Sequence, residues 1–477
     1  MPVLPCLRAK PAADTVAIEP IRKAAFQEWL EMAPTAARAW VSSIGFAADP
    51  GSSALLPGDD GKLARVLVGV PETLDLWSLA GLPGGLPKGS YRVDAKLSKR
   101  EATLVATGWA LACYQFARYR KTPKEFPQLV LPAGADAAAV ERVATAAHLV
   151  RDMVNTPAEH MGPQDIARVA KDLAEEFGAK LKVIEGEELL EKNYPMIHAV
   201  GRASSRPPLL IDLRWGDKNA PAVTLVGKGV VFDTGGLDIK SSANMLLMKK
   251  DMGGAAHALG LARMIMMAGL PVRLRVLVPA VENAVSGNAF RPLDVIPTRK
   301  GLHVEIGNTD AEGRLILCDA LAEAVEDKPA LLVDFATLTG AARVALGPDL
   351  PAMFSNDDRL AEDLLAASRA EDDPMWRMPL WQPYRRMLDS KVADINNAPG
   401  GTFAGAITAA LFLKEFVPDG QPWAHFDLFA WNPSARPGRP EGGEAMTLRA
   451  VFAVIRDRVA AAPADAKAGK PGGRKAK

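Results

Sequence analysis

From about residue 155 onward, short apolar runs alternate with helical patterns in a regular rhythm, and that rhythm leaves the chain few architectures. Strand-like runs cover residues 208–213, 222–226, 272–278, 302–306, 331–335 and 425–429. Helical periodicity covers 163–177, 254–268, 315–325, 358–370, 404–416 and 447–459. The alternation predicts an α/β fold with a mostly parallel central sheet flanked by helices on both faces. Sites in such sheets lie beyond the carboxyl ends of the strands.

The rest of the chain divides around this region. Residues 1–135 read as a separate small α/β domain, with strands at 64–70 and 128–131, a helix over 101–119 and a glycine- and proline-rich loop at 81–89. Carboxylates and histidines do not cluster there, so the chemistry lies elsewhere. Residues 136–154 read as one long connecting helix, broken from the preceding strand at Gly134 and stopped by Asn155-Thr156-Pro157. Residues 155–460 form the second, larger domain, where the chemistry is expected. Residues 461–477 are a basic tail carrying Lys467, Lys470, Arg474, Lys475 and Lys477. The tail reads as a disordered, solubilising extension, and a nucleic-acid arm is the competing reading.

A length of 477 residues suits two or three domains, and a net charge of +1 supplies no global field toward nucleic acid or membrane. Cys6, Cys113 and Cys318 are too few and too scattered for a disulfide framework, which points to a reducing, cytoplasmic setting. The apolar stretch over 257–281 is interrupted by Arg263, Pro271, Arg273 and Arg275, so it predicts a buried helix and strand rather than a membrane span.

Three segments concentrate charge within apolar surroundings. They are the run from Val226 through Lys228, Asp233 and Gly236 to Lys240, the run Met248-Lys249-Lys250-Asp251-Met252-Gly253-Gly254, and the turn Gly307-Asn308-Thr309-Asp310-Ala311-Glu312-Gly313-Arg314. Each has an ordinary explanation by itself. Asp233 suits a turn, Asp310 and Glu312 suit a helix cap, and Lys240 and Arg314 could be surface cations. Lys228 between glycines suggests a phosphate loop, but no Ser or Thr follows it and the full pattern is missing. Taken together, Asp233, Asp251, Asp310 and Glu312 would repel one another in one pocket unless cations neutralise them. Two divalent ions about 3.5–4 Å apart could do so and could share a hydroxide. Oxygen-rich ligation without histidine suits Mg²⁺, Mn²⁺, Zn²⁺ or Co²⁺.

The joint pattern resembles the leucyl (cytosol) aminopeptidase family of two-metal peptidases. The run Asn308-Thr309-Asp310-Ala311-Glu312-Gly313-Arg314-Leu315 is similar to that family's signature, and Val226–Gly236 and Lys249–Gly254 match too. The resemblance spans about residues 150–460. It implies that Asp233 and Glu312 bridge two ions, that Lys228 and Asp251 complete the tighter site, and that Asp310 completes the exchangeable one. It also implies that Lys240 polarises the scissile carbonyl, that Arg314 holds a bicarbonate acting as general base, and that Met248, Thr337 and Gly340 line a pocket for leucine-like side chains. A cytoplasmic homohexamer acting on peptides is implied as well. The sequence departs from the family pattern at Ser241, where proline usually follows the lysine, and in the segment 438–446.

None of the six histidines falls at a ligand position. Two rival readings remain at this stage. One is another two-metal hydrolase, such as a phosphoesterase, with Lys240 and Arg314 clamping phosphate. The other is a DNA-binding hexameric regulator, which only the basic tail favours.

Overall fold

A computed structural model describes residues 4–461. The basic tail therefore lies outside the described residues, apart from Ala461, which ends the last helix.

The first domain is a six-stranded sheet ordered Leu7–Arg8, Gln128–Val130, Ser90–Val93, Val16–Arg22, Leu63–Val70 and Ser53–Pro57. All of its pairs are parallel except the last. The helix Lys99–Ala112 packs on it, started by a capping box in which Ser98 and Glu101 exchange hydrogen bonds. The periodicity over 101–119 overshoots this helix, which stops at Ala112. The physical reason lies in the next side chain: Tyr114 turns away to donate its hydroxyl hydrogen to Asp152 at 2.9 Å, a contact a continuing helix could not make.

Helix α1 (Ala137–Asn155) joins the two domains, with the Asp136 carboxylate accepting from Ala139 N as its cap. Beyond it lies a nine-stranded sheet: β1 (Lys180–Glu185), β2 (Leu209–Trp215), β3 (Ala222–Gly227), β4 (Gly229–Asp233), β5 (Arg273–Asn283), β6 (Leu331–Ala336), β7 (Ala352–Ser355), β8 (Trp376–Arg377) and β9 (Trp423–Asp427). Their order is β8-β7-β9-β6-β3-β5-β2-β1, with β4 pairing β5 as an extension of β3. The central strands β9, β6, β3 and β5 run parallel, while β7, β2 and β1 add antiparallel pairs at the flanks. The run over 208–213 is thus an antiparallel neighbour of β5, not one of the parallel strands.

Apolar residues fill both faces of this sheet, as a doubly covered sheet requires. Val223 and Leu225 of β3 face one cluster, with helix α2 (Gly253–Met267) and the C-terminal helix Leu448–Ala461. Val226 faces the other, with helix α3 (Glu312–Glu326) and helix α4 (Gly405–Lys414). The apolar stretch over 257–281 is α2 followed by β5, and among the described residues no helix is long and apolar enough to cross a membrane.

One strand-like run belongs elsewhere. Residues His303–Glu305 form a small separate sheet with Val295–Pro297 and Ile395–Asn396. A tight connection, with Thr298 N donating to Leu302 O at 2.9 Å, pairs this strand with its sequence neighbour before it could reach the central sheet. That placement hangs the 307–314 turn over the carboxyl ends of β4 and β6. From β3 the chain goes to β5 on one side and later to β6 on the other, so the turn covers the point where strand order reverses.

Candidate metal centre

Lys228 is the single residue between β3 and β4. Its N–H donates to Phe335 O at 2.9 Å and its carbonyl accepts from Ala255 N at 2.8 Å, which pins it between β6 and the start of α2. Gly254 permits this approach, because a Cβ there would stand 2.1 Å from Phe335 O. The Lys228 side chain is buried and lies 2.8 Å from Asp251 Oδ2 and 2.9 Å from Glu312 Oε1, and it donates to Thr337 O at 3.1 Å.

Asp233 ends β4. Its Oδ1 accepts from Asn283 Nδ2 at 2.8 Å and from Gly235 N at 2.9 Å, and its Oδ2 lies 2.7 Å from Lys240 Nζ. Lys240 also pairs with Asp310. Asp251 sits in the short helix Met248–Met252, where its Oδ1 accepts from Thr337 Oγ1 at 2.7 Å. Glu312 opens α3 and is buried. Ligand oxygens of Asp233, Asp310 and Glu312 all lie within 4.8 Å of one another. The structure therefore brings Lys228, Asp233, Lys240, Asp251, Asp310 and Glu312 into one cluster.

Arg314 lies two residues further along α3, buried, with Nη1 donating to Asn397 O at 2.6 Å and Nε unpartnered. Met248, Thr337 and Gly340 line the same cavity of about 660 Å³ as the cluster, Thr337 buried, Met248 half-buried and Gly340 exposed.

Four carboxylates here face two ammonium groups, which leaves an excess of negative charge. Burial, then the neighbouring Asp233, pushes the Glu312 carboxyl up to about 8, and the same two causes push Asp310 up to about 6. Burial opposes the charged form of Lys228, yet Asp251, Glu312 and Asp233 outweigh it and hold the ammonium above its usual range. Asp251 is held below the carboxylate range because Lys228 and Lys250 outweigh its burial. Burial lowers Arg314 to about 10. Glu312 Oε2 is buried with no donor, while Glu312 Oε1, Asp251 Oδ2 and Asp310 Oδ1 are met only by the Lys228 and Lys240 ammonium groups. A buried carboxylate oxygen without a donor, beside others met only by ammonium groups, fits divalent cations, and carboxylate oxygens with one lysine nitrogen suit hard or borderline ions.

Several contributors carry no motif signal of their own. Asn283 closes β5 and orients Asp233. Thr309 is fully buried and donates to Gly235 O while Asp238 accepts from its backbone, which fixes the turn against the 233–240 loop. Asn397 clamps the turn through Gly307 N at 2.7 Å and Asn308 O at 2.8 Å. Of these, Asn397 offered a signal in its Asn-Asn-Ala-Pro-Gly context, a turn composition. His425 is buried and hydrogen-bonded to Asp334 at 2.6 Å, away from the carboxylate cluster, and His303 is exposed.

A doubly wound sheet with a carboxylate-lined cavity at its switch point defines an α/β protein with a candidate metal centre. More specifically, the chain belongs to the cytosol aminopeptidase family: residues 148–452 match the cytosol aminopeptidase family catalytic domain, and residues 16–132 match the M17 aminopeptidase N-terminal domain. It is 48% identical over 290 residues to Peptidase B of Cronobacter sakazakii, covering 59% of this chain and 68% of that protein. It is 40% identical to a probable cytosol aminopeptidase of Roseiflexus castenholzii, covering 75% and 76%. The crystal structure of cytosol aminopeptidase from Coxiella burnetii superposes with a TM-score of 0.92 at 52% identity, over 95% of this chain and 99% of that one. The bottromycin maturation enzyme BotP in complex with Mn superposes at 0.84 and 35% identity, over 94% and 100%. The protein is an M17-family aminopeptidase, and the family is metal-dependent.

Proposed function

We propose that the protein removes N-terminal residues, leucine-like ones among them, from peptides through a two-cation site. Asp233, Glu312, Lys228, Asp251 and Asp310 would hold the two cations. The observation that carries this is the convergence of Asp233, Asp310 and Glu312 oxygens within 4.8 Å, with Glu312 Oε2 buried and without a donor. Two bound divalent ions, Mn²⁺ or Zn²⁺ for preference and Mg²⁺ or Co²⁺ next, supply Lewis acidity and an acidified water.

The chain's own groups do the positioning. Lys228 serves as a ligand only as a neutral amine, so cations must displace its proton. Lys240, no longer needed as the counter-ion of Asp233 and Asp310, donates to the carbonyl oxygen as charge builds there. Arg314, with its Nε free and its position fixed by Asn397, holds a small anion such as bicarbonate that takes a proton. Met248 and Thr337 wall the side-chain pocket and Gly340 leaves it open. Three free cysteines suit the cytoplasm, and we expect a homohexamer by native mass.

The test is direct. Protein loaded with Mn²⁺ or Zn²⁺ hydrolyses leucine p-nitroanilide, and Glu312→Ala abolishes this. Activity that survives both chelation and that substitution overturns the reading.

A further inference from the structure

One carboxylate lines the cavity without joining the cluster. Asp427 ends β9, opposite Ala336 at the end of β6, and is only 3% exposed. Among the described residues no lysine or arginine forms an ion pair with it, and all its hydrogen bonds come from one short stretch of chain. Its Oδ1 accepts from Leu338 N at 2.9 Å and Thr339 N at 3.1 Å, and its Oδ2 accepts from Thr339 Oγ1 at 2.6 Å. The same hydroxyl accepts from Ala342 N at 3.0 Å and so caps the helix Gly340–Leu346. A buried anion without a cation is costly, and here the donors of the 338–339 loop offset that cost. Carboxylate and loop therefore hold each other in place.

The loop held in this way begins at Thr337, the first residue beyond β6, and Thr337 touches two of the groups assigned above to the cations. Its carbonyl accepts from Lys228 Nζ at 3.1 Å. Its hydroxyl donates to Asp251 Oδ1 at 2.7 Å, which leaves Asp251 Oδ2 facing Lys228 at 2.8 Å. Lys228 as a neutral amine has two N–H bonds and one lone pair. With one N–H held by the Thr337 carbonyl, the lone pair is left to the side where Asp251 and Glu312 lie. We propose that Asp427 is a positioning residue for the centre: by fixing residues 337–339 it sets which face of the Lys228 amine and which oxygen of Asp251 are offered to a cation. The proposal rests on the two-cation reading above.

Calorimetric titration of metal-free protein with Mn²⁺ tests this, alongside thermal melting of the same samples. In Asp427→Ala one Mn²⁺ equilibrium weakens by about ten- to a hundredfold, the range for groups that orient metal ligands, while the other keeps its wild-type affinity. Asp427→Asn keeps the oxygen that accepts both backbone N–H groups and regains most of the affinity despite losing the charge. Thr337→Val removes the hydroxyl but not the carbonyl and shows a smaller loss in the same equilibrium. Should Asp427→Ala fail to fold, Thr339→Ala decides, since it takes away one of the three donors and should weaken that equilibrium alone. Variants that melt lower yet bind both ions like wild type confine Asp427 to packing and overturn the proposal, as does an asparagine variant as weak as the alanine one. Wild type that binds no Mn²⁺ overturns the two-cation reading itself.

Discussion

A single methyl group placed at Gly313 should separate the stability of this protein from its chemistry. A Cβ there would lie 2.5 Å from Lys228 Cε, 2.6 Å from Nζ and 2.7 Å from Cδ. Carbon atoms in contact sit at about 3.5–4.0 Å, so in Gly313→Ala the lysine must retreat by roughly 1 Å. Overpacking costs about 1–3 kcal/mol, and replacing glycine within a helix returns at most about 1 kcal/mol. The net loss, about 0–2 kcal/mol, shifts the melting temperature by a few degrees and leaves the fold intact. A reacting group displaced by about 1 Å costs on the order of a hundredfold in rate. Gly313→Ala should therefore melt near wild type while losing about two orders of magnitude in kcat on leucine p-nitroanilide and binding Mn²⁺ more weakly by calorimetry. Gly260→Ala is the control. From α2 it crowds Val150 Cγ2 of α1 at 2.7 Å, away from the cluster, and should lower the melting temperature with kcat unchanged. Wild-type kcat and metal affinity in Gly313→Ala would refute the role given to Lys228.

Other expectations follow from the same geometry. Asp251→Ala should disable hydrolysis as thoroughly as Glu312→Ala, because each removes one anion from a shared cluster, and steady-state rates compare them. Asn283→Ala takes a donor from Asp233, a loss of about 1–3 kcal/mol that should lower kcat about tenfold with KM little changed. With the Glu312 carboxyl raised to about 8, cations must displace its proton below that pH, so apparent metal affinity should tighten as pH rises toward 8 and change less steeply above it. Calorimetry in two buffers of different ionisation enthalpy counts the released protons, and none released near neutrality contradicts the raised carboxyl. Arg151→Met strands the Glu444 carboxylate, now 3.2 Å from the guanidinium, in a dry interior and should cost about 3–5 kcal/mol by urea denaturation.

Periodicity reported the elements that pack on one another. α1, α2 and β6 begin and end within a residue or two of where apolar spacing puts them, because each buries a face along its length. It misjudged elements whose fate is decided by a single distant contact. Nothing local to 101–119 announces that Tyr114 must leave the helix for Asp152, or that 302–306 pairs with its neighbour rather than with the main sheet. The cluster was legible for a related reason: Asp310, Glu312 and Arg314 are close in sequence, and so are Lys228, Asp233 and Lys240. Asn283 and Asn397 were not, since each acts through one hydrogen-bonding group brought in from another element. Lys250 was hidden differently. In sequence it is one of two adjacent lysines, and only burial distinguishes it from Lys249, which reaches Asn155 O at 2.7 Å.

That last contact belongs to a chain of hydrogen bonds running from the first domain to the cavity. Tyr114 reaches Asp152, Asn155 Nδ2 reaches Tyr114 at 3.0 Å, Gly443 N reaches Asn155 Oδ1 at 2.8 Å, and Arg151 ties Leu111 O to Gly438 O at 2.8 Å each. Tyr114 and Leu111 belong to the first domain, Arg151, Asp152 and Asn155 to α1, and Gly438 and Gly443 to the far end of the second domain. Neither domain can then melt without baring polar groups in the other, so heat should take the two down in one transition rather than two. A protease that nicks the first domain would, by the same token, loosen the floor beneath Met248 without touching a single carboxylate.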